Sequence, residues 1–263
     1  MHWNIVRFDT LDSTNLEARR MIQNQSTGQS LHGTVVTAGQ QTGGKGRLGR
    51  VWESPSGTGL WFTAIIQPQV PMEQASLYSF AAAVSVAEAI RQVADLKVTL
   101  KWPNDVLLNG KKLCGILLEL IPYSKTEYYI AIGIGINVRQ GKEDFPPELQ
   151  EKAASLAMFS EKIIDQSALL DTILQQLNAP VHSWKLRASP RCATNGKHGA
   201  LSSVRKYRYS NTGMYYTPVS PKILPWMAVS WCAPLMDCSV LPQQMFLCVP
   251  KMEPMVSENS PGI

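Results

Sequence analysis

Residues 105–120 have the sequence DVLLNGKKLCGILLEL. Asn109-Gly110 lies between two apolar runs, and this dipeptide favours the two-residue type I′ turn of a β-hairpin. The sequence therefore predicts an antiparallel hairpin in which a strand at 105–108 pairs with a strand at 111–120.

Further strands and helices are predicted on both sides of this hairpin. β-Branched and aromatic content indicates strands at residues 1–8, 34–38, 59–66 and 128–138. Apolar residues at helical spacing indicate helices at residues 16–22, 73–93 and 163–177. Thr14 and Glu17 have the spacing of a capping box at the start of the first helix. The pattern predicts an α+β fold with a central mixed β-sheet and flanking helices.

The chain has 263 residues and a formal net charge of +5, which is unevenly distributed. Residues 1–184 carry 16 Lys and Arg against 17 Asp and Glu, whereas residues 185–263 carry 9 against 3. Because the excess forms no compact basic stripe, we expect no nucleic-acid partner. No apolar run approaches the roughly 18–20 residues of a membrane span, and no signal peptide is recognisable, so we expect a cytoplasmic protein without a membrane partner.

Residues 185–263 differ in composition from the rest of the chain. They hold nine of the 17 prolines, six of the 10 methionines and four of the five cysteines, but only four of the 18 glycines. We therefore expect a domain at 1–184 and an atypical tail at 185–263 that is diverged, disordered or produced by a reading-frame shift. No CxxC motif and no Cys/His pair at zinc-ligand spacing occurs, so no metal site made of protein ligands is expected.

The strongest chemical signal is GGKGRLGRVW, residues 43–52. Its glycines let the backbone approach an anion, and Lys45, Arg47 and Arg50 supply positive charge. The spacing also matches the dinucleotide fingerprint and the kinase glycine-rich loop, but no helix can follow and no kinase catalytic motif occurs. By itself the loop indicates an anion-binding site, and a flexible basic surface loop is the alternative.

Two more segments carry groups suited to a binding site. KWPND, residues 101–105, places an ammonium group before a rigid Trp-Pro step, with an amide and a carboxylate beside it. The alternative is a strand-ending turn that Asn and Asp cap locally. IGIGIN, residues 132–137, lacks side chains at alternate strand positions and leaves room for a flat group, although a bulged core strand explains it equally.

Taken together and in this order, these segments resemble the biotin protein ligase family, the biotin–[acetyl-CoA-carboxylase] ligases. Further segments that carry the resemblance are Ser13-Thr14-Asn15, Gln40-Gln41 and Lys112-Leu113-Cys114-Gly115-Ile116-Leu117-Leu118-Glu119. It runs from about Phe8 to about Trp184 and implies the biotin/lipoate ligase catalytic fold, which is class II synthetase-like. The implied activity uses ATP and Mg²⁺ to convert biotin to biotinyl-5′-AMP, and then transfers biotin to a lysine of a biotin carboxyl carrier protein. No tightly bound cofactor is implied.

The resemblance also implies roles for individual residues. Those expected to bind biotin are Ser13, Thr14, Asn15, Gln41, Gly44, Lys45, Gly46, Arg47, Lys101 and Gly115. Those expected to bind the nucleotide are Arg47, Trp52, Asn104, Gly135 and Asn137. The expected catalytic residues are Lys101, which would bond the biotin carboxylate, and Arg47, which would retain the adenylate. Lys45 stands where the family often has Arg, a change that keeps the charge but loses bidentate geometry.

The resemblance has two departures and leaves alternatives open. Only 12 residues precede Ser13, so we expect a monofunctional ligase without an N-terminal DNA-binding domain. Nothing after Trp184 resembles the SH3-like barrel that usually ends the family's chains. The alternatives are a lipoate or octanoate ligase or transferase of the same fold, and a truncated protein that binds biotin without transferring it. The expected partner is the carrier protein of acetyl-CoA carboxylase, and a homodimer is left open.

Overall fold

The computed structural model describes residues 2–26, 28–124, 127–187, 205–210, 213–217 and 244–247. The chain divides into two structural units, Met1–Arg191 and Cys192–Ile263. In the described residues of the first unit, a seven-stranded sheet is combined with helices. The described residues of the second unit form a three-stranded sheet.

The sheet of the first unit is mixed, as the sequence predicts. Its strands are β1 (Asn4–Leu11), β2 (Thr34–Gln41), β3 (Gly59–Ile66), β4 (Thr99–Lys101), β5 (Asp105–Leu108), β6 (Lys111–Pro122) and β7 (Tyr128–Asn137). They lie in the order β1-β2-β3-β7-β6-β5-β4. β1 and β2 are parallel, and every other neighbouring pair is antiparallel. β3 is buried along its whole length next to β7, which places the core at the sheet centre.

Three helices accompany this sheet, α1 (Thr14–Gln23), α2 (Ser76–Ala94) and α3 (Gln166–Arg187). α1 connects the parallel strands β1 and β2, and α2 packs against both α3 and β6. α3 begins later than predicted because the Asp165 carboxylate accepts a hydrogen bond from the backbone N–H of Ser167 at 2.9 Å, which caps the helix there. Ile163, the predicted first residue, is 94% exposed. Among the described residues, no helix is long and apolar enough to cross a membrane.

The capping box expected for Thr14 and Glu17 does not form. Ser13 is the N-cap of α1, and its carbonyl accepts a hydrogen bond from the Glu17 N–H at 3.0 Å. Thr14 is instead the first helical residue, and its hydroxyl lies 3.1 Å from Gln41 Oε1 and 2.8 Å from Thr63 Oγ1. The polar partners on β2 and β3 thus replace the local cap, which turns Thr14 toward the sheet.

The hairpin of β5 and β6 forms at the predicted turn. Asn109 and Gly110 have φ values of 49° and 79°, as a type I′ turn requires. The pairing contains a bulge, because Val106 is opposite Cys114 whereas Leu107 is opposite Lys112. Leu113, fully buried, is the extra residue of this bulge.

The bulge changes which side chains of β6 share a face of the sheet. Asp105 and Leu107 are two residues apart on β5 and therefore project from one face. Their partners on β6 are Gly115 and Lys112 respectively. Lys112 and Gly115 consequently share that face although they are three residues apart, which regular alternation does not allow.

The second unit is described only at three strands. They are β8 (Arg205–Ser210), β9 (Gly213–Thr217) and β10 (Gln244–Leu247), which pair antiparallel with β8 in the middle. The expectations of an atypical tail and of a missing SH3-like barrel fall mostly on residues outside those described.

Candidate active site

A pocket lies on the face of the sheet that carries Gly115 of β6 and its register partner Gly135 of β7. Most of the residues that the sequence assigns to a binding site line it. They are Ser13, Thr14, Asn15, Gln41, Lys45, Gly46, Arg47, Trp52, Asn104, Gly115 and Gly135. The start of α1, the end of β2 and the glycine-rich loop therefore converge on one surface of the sheet.

Thr14 and Gln41 form a polar part of the pocket wall where α1 begins and β2 ends. Gln41 Oε1 accepts a hydrogen bond from the Thr14 backbone N–H at 2.8 Å. Gln41 Nε2 donates to Ser54 Oγ at 2.8 Å, and Ser54 Oγ donates to the Trp52 carbonyl at 3.3 Å. These bonds fix the orientation of the Gln41 amide, so its oxygen faces the helix and its nitrogen faces the loop.

Asn15 lines the pocket, but both ends of its side-chain amide are hydrogen-bonded within the protein. Its Nδ2 donates to Glu119 Oε2 at 2.9 Å and to the Leu117 carbonyl at 3.3 Å, and its Oδ1 lies 2.6 Å from Thr63 Oγ1. A Cβ at Gly133 would overlap Asn15 Oδ1. Asn15 therefore fits the role of a rigid frame for Thr14, and glycine at 133 is what makes room for it.

Residues 43–52 form a tight loop over the pocket. The Trp52 N–H donates to the Gly44 carbonyl at 2.9 Å, and the Gly46 N–H donates to the Arg50 carbonyl at 2.7 Å. Arg47 extends from this loop, and its Nη1 donates to Asn104 Oδ1 at 3.0 Å. The loop thus places the cationic side chains of Lys45 and Arg47 at the pocket, where they suit a carboxylate or a phosphate.

Trp52 lies on the two paired glycines of the sheet. A Cβ at Gly135 would lie 2.6 Å from Trp52 Nε1, and a Cβ at Gly115 would lie 2.9 Å from Trp52 Cζ3. The Trp61 ring meets it edge-on with centroids 6.3 Å apart. The sequence predicts room for a flat group at Gly133 and Gly135. In the structure the Trp52 indole fills the space at Gly135 and the Asn15 amide fills that at Gly133.

Lys112 lines the same pocket, although the sequence predicts no individual role for it. Its Nζ lies 2.8 Å from Asp105 Oδ1 and 5.4 Å from the centroid of the Trp52 ring. The bulge at Leu113 is the reason that this ammonium group reaches the pocket face. Lys112, Lys45 and Arg47 together give the pocket a cationic side, in addition to the neutral polar wall at Thr14 and Gln41.

The site and fold are similar to those of known proteins. The model of the biotin/lipoate A/B protein ligase family matches residues 9–137. The solved structure of a biotin protein ligase from Aquifex aeolicus in complex with biotin and ATP is 30% identical, with a TM-score of 0.59 over 80% of this chain and 84% of that chain. This chain belongs to the biotin protein ligase family. The predicted family and the predicted mixed-sheet fold class are thereby confirmed.

Curated relatives in the ligase family differ from this chain in length. The bifunctional ligase/repressor BirA of Bacillus subtilis is 38% identical over 174 residues, which cover 66% of this chain and 52% of that protein. The biotin–[acetyl-CoA-carboxylase] ligase of Mycobacterium tuberculosis is 27% identical over 211 residues, which cover 79% of this chain and 76% of that protein. The chain thus spans about half the length of the first relatives it matches.

Three residues that the ligase resemblance implies for the site do not line this pocket in the structure. Lys101, at the end of β4, has an exposed side chain and is one strand farther from Gly115 than Asp105 is. Asn137 is buried, where its Nδ2 donates to the Ala154 carbonyl at 3.0 Å and its Oδ1 accepts from Gln140 at 3.3 Å. Gly44 lines an adjoining groove, and a Cβ there would overlap the Trp52 carbonyl.

Cys114 has no polar role at the candidate site. Its side chain is fully buried on β6, and burial raises the pKa of the thiol, as fits the core residue that the sequence indicates. Within the described part of the chain, no group of three or more His, Cys, Asp and Glu side chains could hold a metal ion.

Proposed function

We propose that this chain activates biotin with ATP and transfers it to a lysine of a carrier protein. The arrangement that carries the proposal is a neutral polar wall at Thr14 and Gln41 combined with a cationic side at Lys45, Arg47 and Lys112. Biotin is a neutral bicyclic urea with a carboxylate tail, so its two ends need these two environments. The Aquifex aeolicus ligase of the same fold binds biotin and ATP.

In the first step, a carboxylate oxygen of biotin attacks the α-phosphorus of Mg-ATP, and pyrophosphate leaves. Both reactants are anionic, so fixed positive charge at the reacting atoms is the main requirement. We assign Lys112 to the biotin carboxylate, since Asp105 holds its ammonium group on the pocket face at 2.8 Å. Arg47 and Lys45, on the loop above, offset the phosphate charge.

In the second step, the uncharged amine of an acceptor lysine attacks the acyl carbon of biotinyl-AMP. A C–N bond forms, the bond to AMP breaks, and the amine releases a proton to solvent. Loop residues 43–52 and the Trp52 ring cover the mixed anhydride and keep water from it. Of the nucleotide contacts expected from the sequence, we retain Arg47, Trp52 and Asn104, and we assign Gly135 the role of making room for the Trp52 ring. We assign Asn137 a structural role at the end of β7.

The acceptor we propose is the carboxyl carrier protein of acetyl-CoA carboxylase, because the Mycobacterium tuberculosis relative is a ligase for that enzyme. Mg²⁺ enters with ATP as part of the substrate. We propose no nucleic-acid partner, since residues 1–184 carry 16 basic against 17 acidic side chains, and we place the reaction in the cytoplasm. A homodimer is compatible with the proposal.

ATP-dependent labelling of a carrier domain with radioactive biotin tests this function in the full-length chain. We expect labelling by the wild type and a fall of about 100-fold or more in Lys112→Ala, because the charge that meets the carboxylate is lost. The control is Lys111→Ala, since the Lys111 ammonium pairs with Glu151 at 3.1 Å and does not line the pocket. It should keep wild-type activity.

The outcomes separate the competing functions and the two candidate lysines. Labelling with lipoate or octanoate instead of biotin would establish the alternative ligase or transferase. Biotin binding without any transfer would establish the truncated, non-transferring protein. If Lys101→Ala loses more labelling activity than Lys112→Ala, Lys101 and not Lys112 has the catalytic role.

A further inference from the structure

Thr63 is a buried residue of β3 whose hydroxyl contacts Thr14, part of the polar wall of the pocket. Its side chain is fully buried, with Oγ1 at 2.8 Å from Thr14 Oγ1 and 2.6 Å from Asn15 Oδ1. Thr63 does not line the pocket. Any effect it has on a ligand must therefore pass through Thr14 or Asn15.

The direction of the hydrogen bonds in this cluster is set at Glu119. Glu119 pairs with Arg19 at 3.3 Å, and an ionised carboxylate only accepts hydrogen bonds. The Asn15 atom that lies 2.9 Å from Glu119 Oε2 must therefore be the amide nitrogen. The amide oxygen then faces Thr63, and because that oxygen cannot donate, Thr63 gives its single hydroxyl hydrogen to Asn15.

With the Thr63 hydrogen committed to Asn15, the Thr14 hydroxyl has two acceptors within reach. These are Thr63 Oγ1 at 2.8 Å and Gln41 Oε1 at 3.1 Å, the second of which already accepts the Thr14 backbone N–H. Thr63 Oγ1 is the nearer acceptor and Gln41 Oε1 is already occupied, so the Thr14 hydroxyl donates to Thr63 and its hydrogen stays within the protein. The lone pairs of Thr14 Oγ1 are left for the pocket.

We propose that Thr63 is a positioning residue for biotin recognition: it makes Thr14 Oγ1 a hydrogen-bond acceptor for a ureido N–H. The inference rests on the proposed function, since biotin is the ligand that it orients. A ureido N–H of biotin can donate a hydrogen bond to Thr14 Oγ1. A ring oxygen at the same position cannot, because both oxygens then present lone pairs to each other. Thr63 thus sets specificity without touching the ligand.

The test compares Thr63→Val with Thr63→Ser in the full-length chain, with biotin-dependent exchange of pyrophosphate into ATP as the assay. Valine keeps the shape of threonine and removes the hydroxyl, whereas serine keeps the hydroxyl. We expect Thr63→Val to raise the KM for biotin about tenfold, the equivalent of one hydrogen bond, and Thr63→Ser to restore it. The KM for ATP and the kcat at saturating biotin should stay within about twofold of wild type.

Two further comparisons separate positioning from a purely structural role. In a Thr14→Val background, Thr63→Val should have little further effect on the KM for biotin, because it acts through Thr14. The wild type should reject the cyclic carbamate analogues of biotin, in which oxygen replaces one ureido N–H, and Thr63→Val should reject them about tenfold less strongly. The control is Thr37→Val on β2, whose hydroxyl donates to the Trp61 carbonyl at 3.0 Å.

An unchanged KM for biotin in Thr63→Val would overturn the inference, as would an equal effect in the Thr14→Val background or a parallel rise in the KM for ATP. Thermal unfolding checks that each variant is folded, and Thr63→Ala repeats the measurement if Thr63→Val is not. A wild type that does not bind biotin contradicts the proposed function. A wild type that binds biotin and a Thr63→Val that binds it equally contradict the inference alone.

Discussion

Replacing Gly135 with alanine should push the Trp52 ring off the sheet. Gly135 is not among the described glycines with positive φ, so β7 accepts alanine there without backbone strain. The new Cβ would lie 2.6 Å from Trp52 Nε1 and 2.7 Å from Trp52 Cε2, whereas ordinary contacts begin at 3.4 Å. The indole must therefore retreat by about 0.8 Å or leave its site, since packed atoms do not overlap.

The energy of this displacement follows from what the Trp52 ring contacts. Its edge-on contact with Trp61 is worth about 0.5–1.5 kcal/mol, and the Lys112 ammonium over its face about 0.5–1 kcal/mol. Replacing glycine with alanine raises the free energy of unfolding by about 0.4–1 kcal/mol, because alanine restricts the conformations of the unfolded chain. We expect a net loss of about 1 kcal/mol, which lowers the Tm by about 2–4 °C in a unit of this size.

The assay is a double-mutant cycle followed by thermal unfolding. Gly135→Ala is compared with wild type, and then made in a Trp52→Ala background where the ring is absent. In that background the loss should disappear, leaving alanine neutral or slightly stabilising. An equal loss of stability in both backgrounds would refute the placement of Trp52 on Gly135.

Two further predictions concern buried side chains. Gly133→Ala should lower the free energy of unfolding by about 2–4 kcal/mol, more than Gly135→Ala does, as measured by denaturant unfolding. The reason is that its Cβ would overlap Asn15, which hydrogen bonds hold in place. A smaller loss than in Gly135→Ala would contradict this prediction. Burial raises the pKa of Tyr78 to about 12 from 10.0, so the folded protein keeps this proton at pH 10–12 while the unfolded chain loses it. Stability should therefore fall as pH rises through that window. Urea unfolding of Tyr78→Phe should show a weaker pH dependence, and an unchanged one would contradict the prediction.

The parts of the fold predicted best are those that local chemistry determines. Asn109-Gly110 specifies the hairpin because few other dipeptides accept positive φ at both positions. The boundaries of α3 were predicted less well, since the apolar Ile163 extends the helical pattern while Asp165 provides the cap that begins the helix. The partner of Thr14 was also missed, because a side chain on a distant strand outcompeted the local capping box.

The residues of the candidate site also divide into those that the sequence predicts and those that depend on the folded structure. The order of the motifs predicted most of the residues that line the pocket, because the glycine-rich loop and the start of α1 meet at one sheet face. Lys112 was missed because strict alternation from Gly115 places Leu113, and not Lys112, on that face. The sequence signal of the bulge is that Leu113 and Cys114 are consecutive apolar residues, and both are buried in the structure.

Thr63 was missed for a different reason. A threonine within the apolar strand GLWFTAII signals a buried hydroxyl that needs a partner. The sequence does not say which partner, since Thr14 and Asn15 are 49 and 48 positions away along the chain. Only the packing of α1 against β3 brings the three residues together.

Biotin-dependent exchange of radioactive pyrophosphate into ATP tests the proposed activation of biotin by itself, because it reports adenylate formation without a carrier protein. We predict exchange that requires both biotin and Mg²⁺, that falls by about 100-fold or more in Lys112→Ala, and that lipoate and octanoate do not support. Absence of exchange with biotin would contradict the proposed function, and equally fast exchange in Lys112→Ala would contradict the role of Lys112.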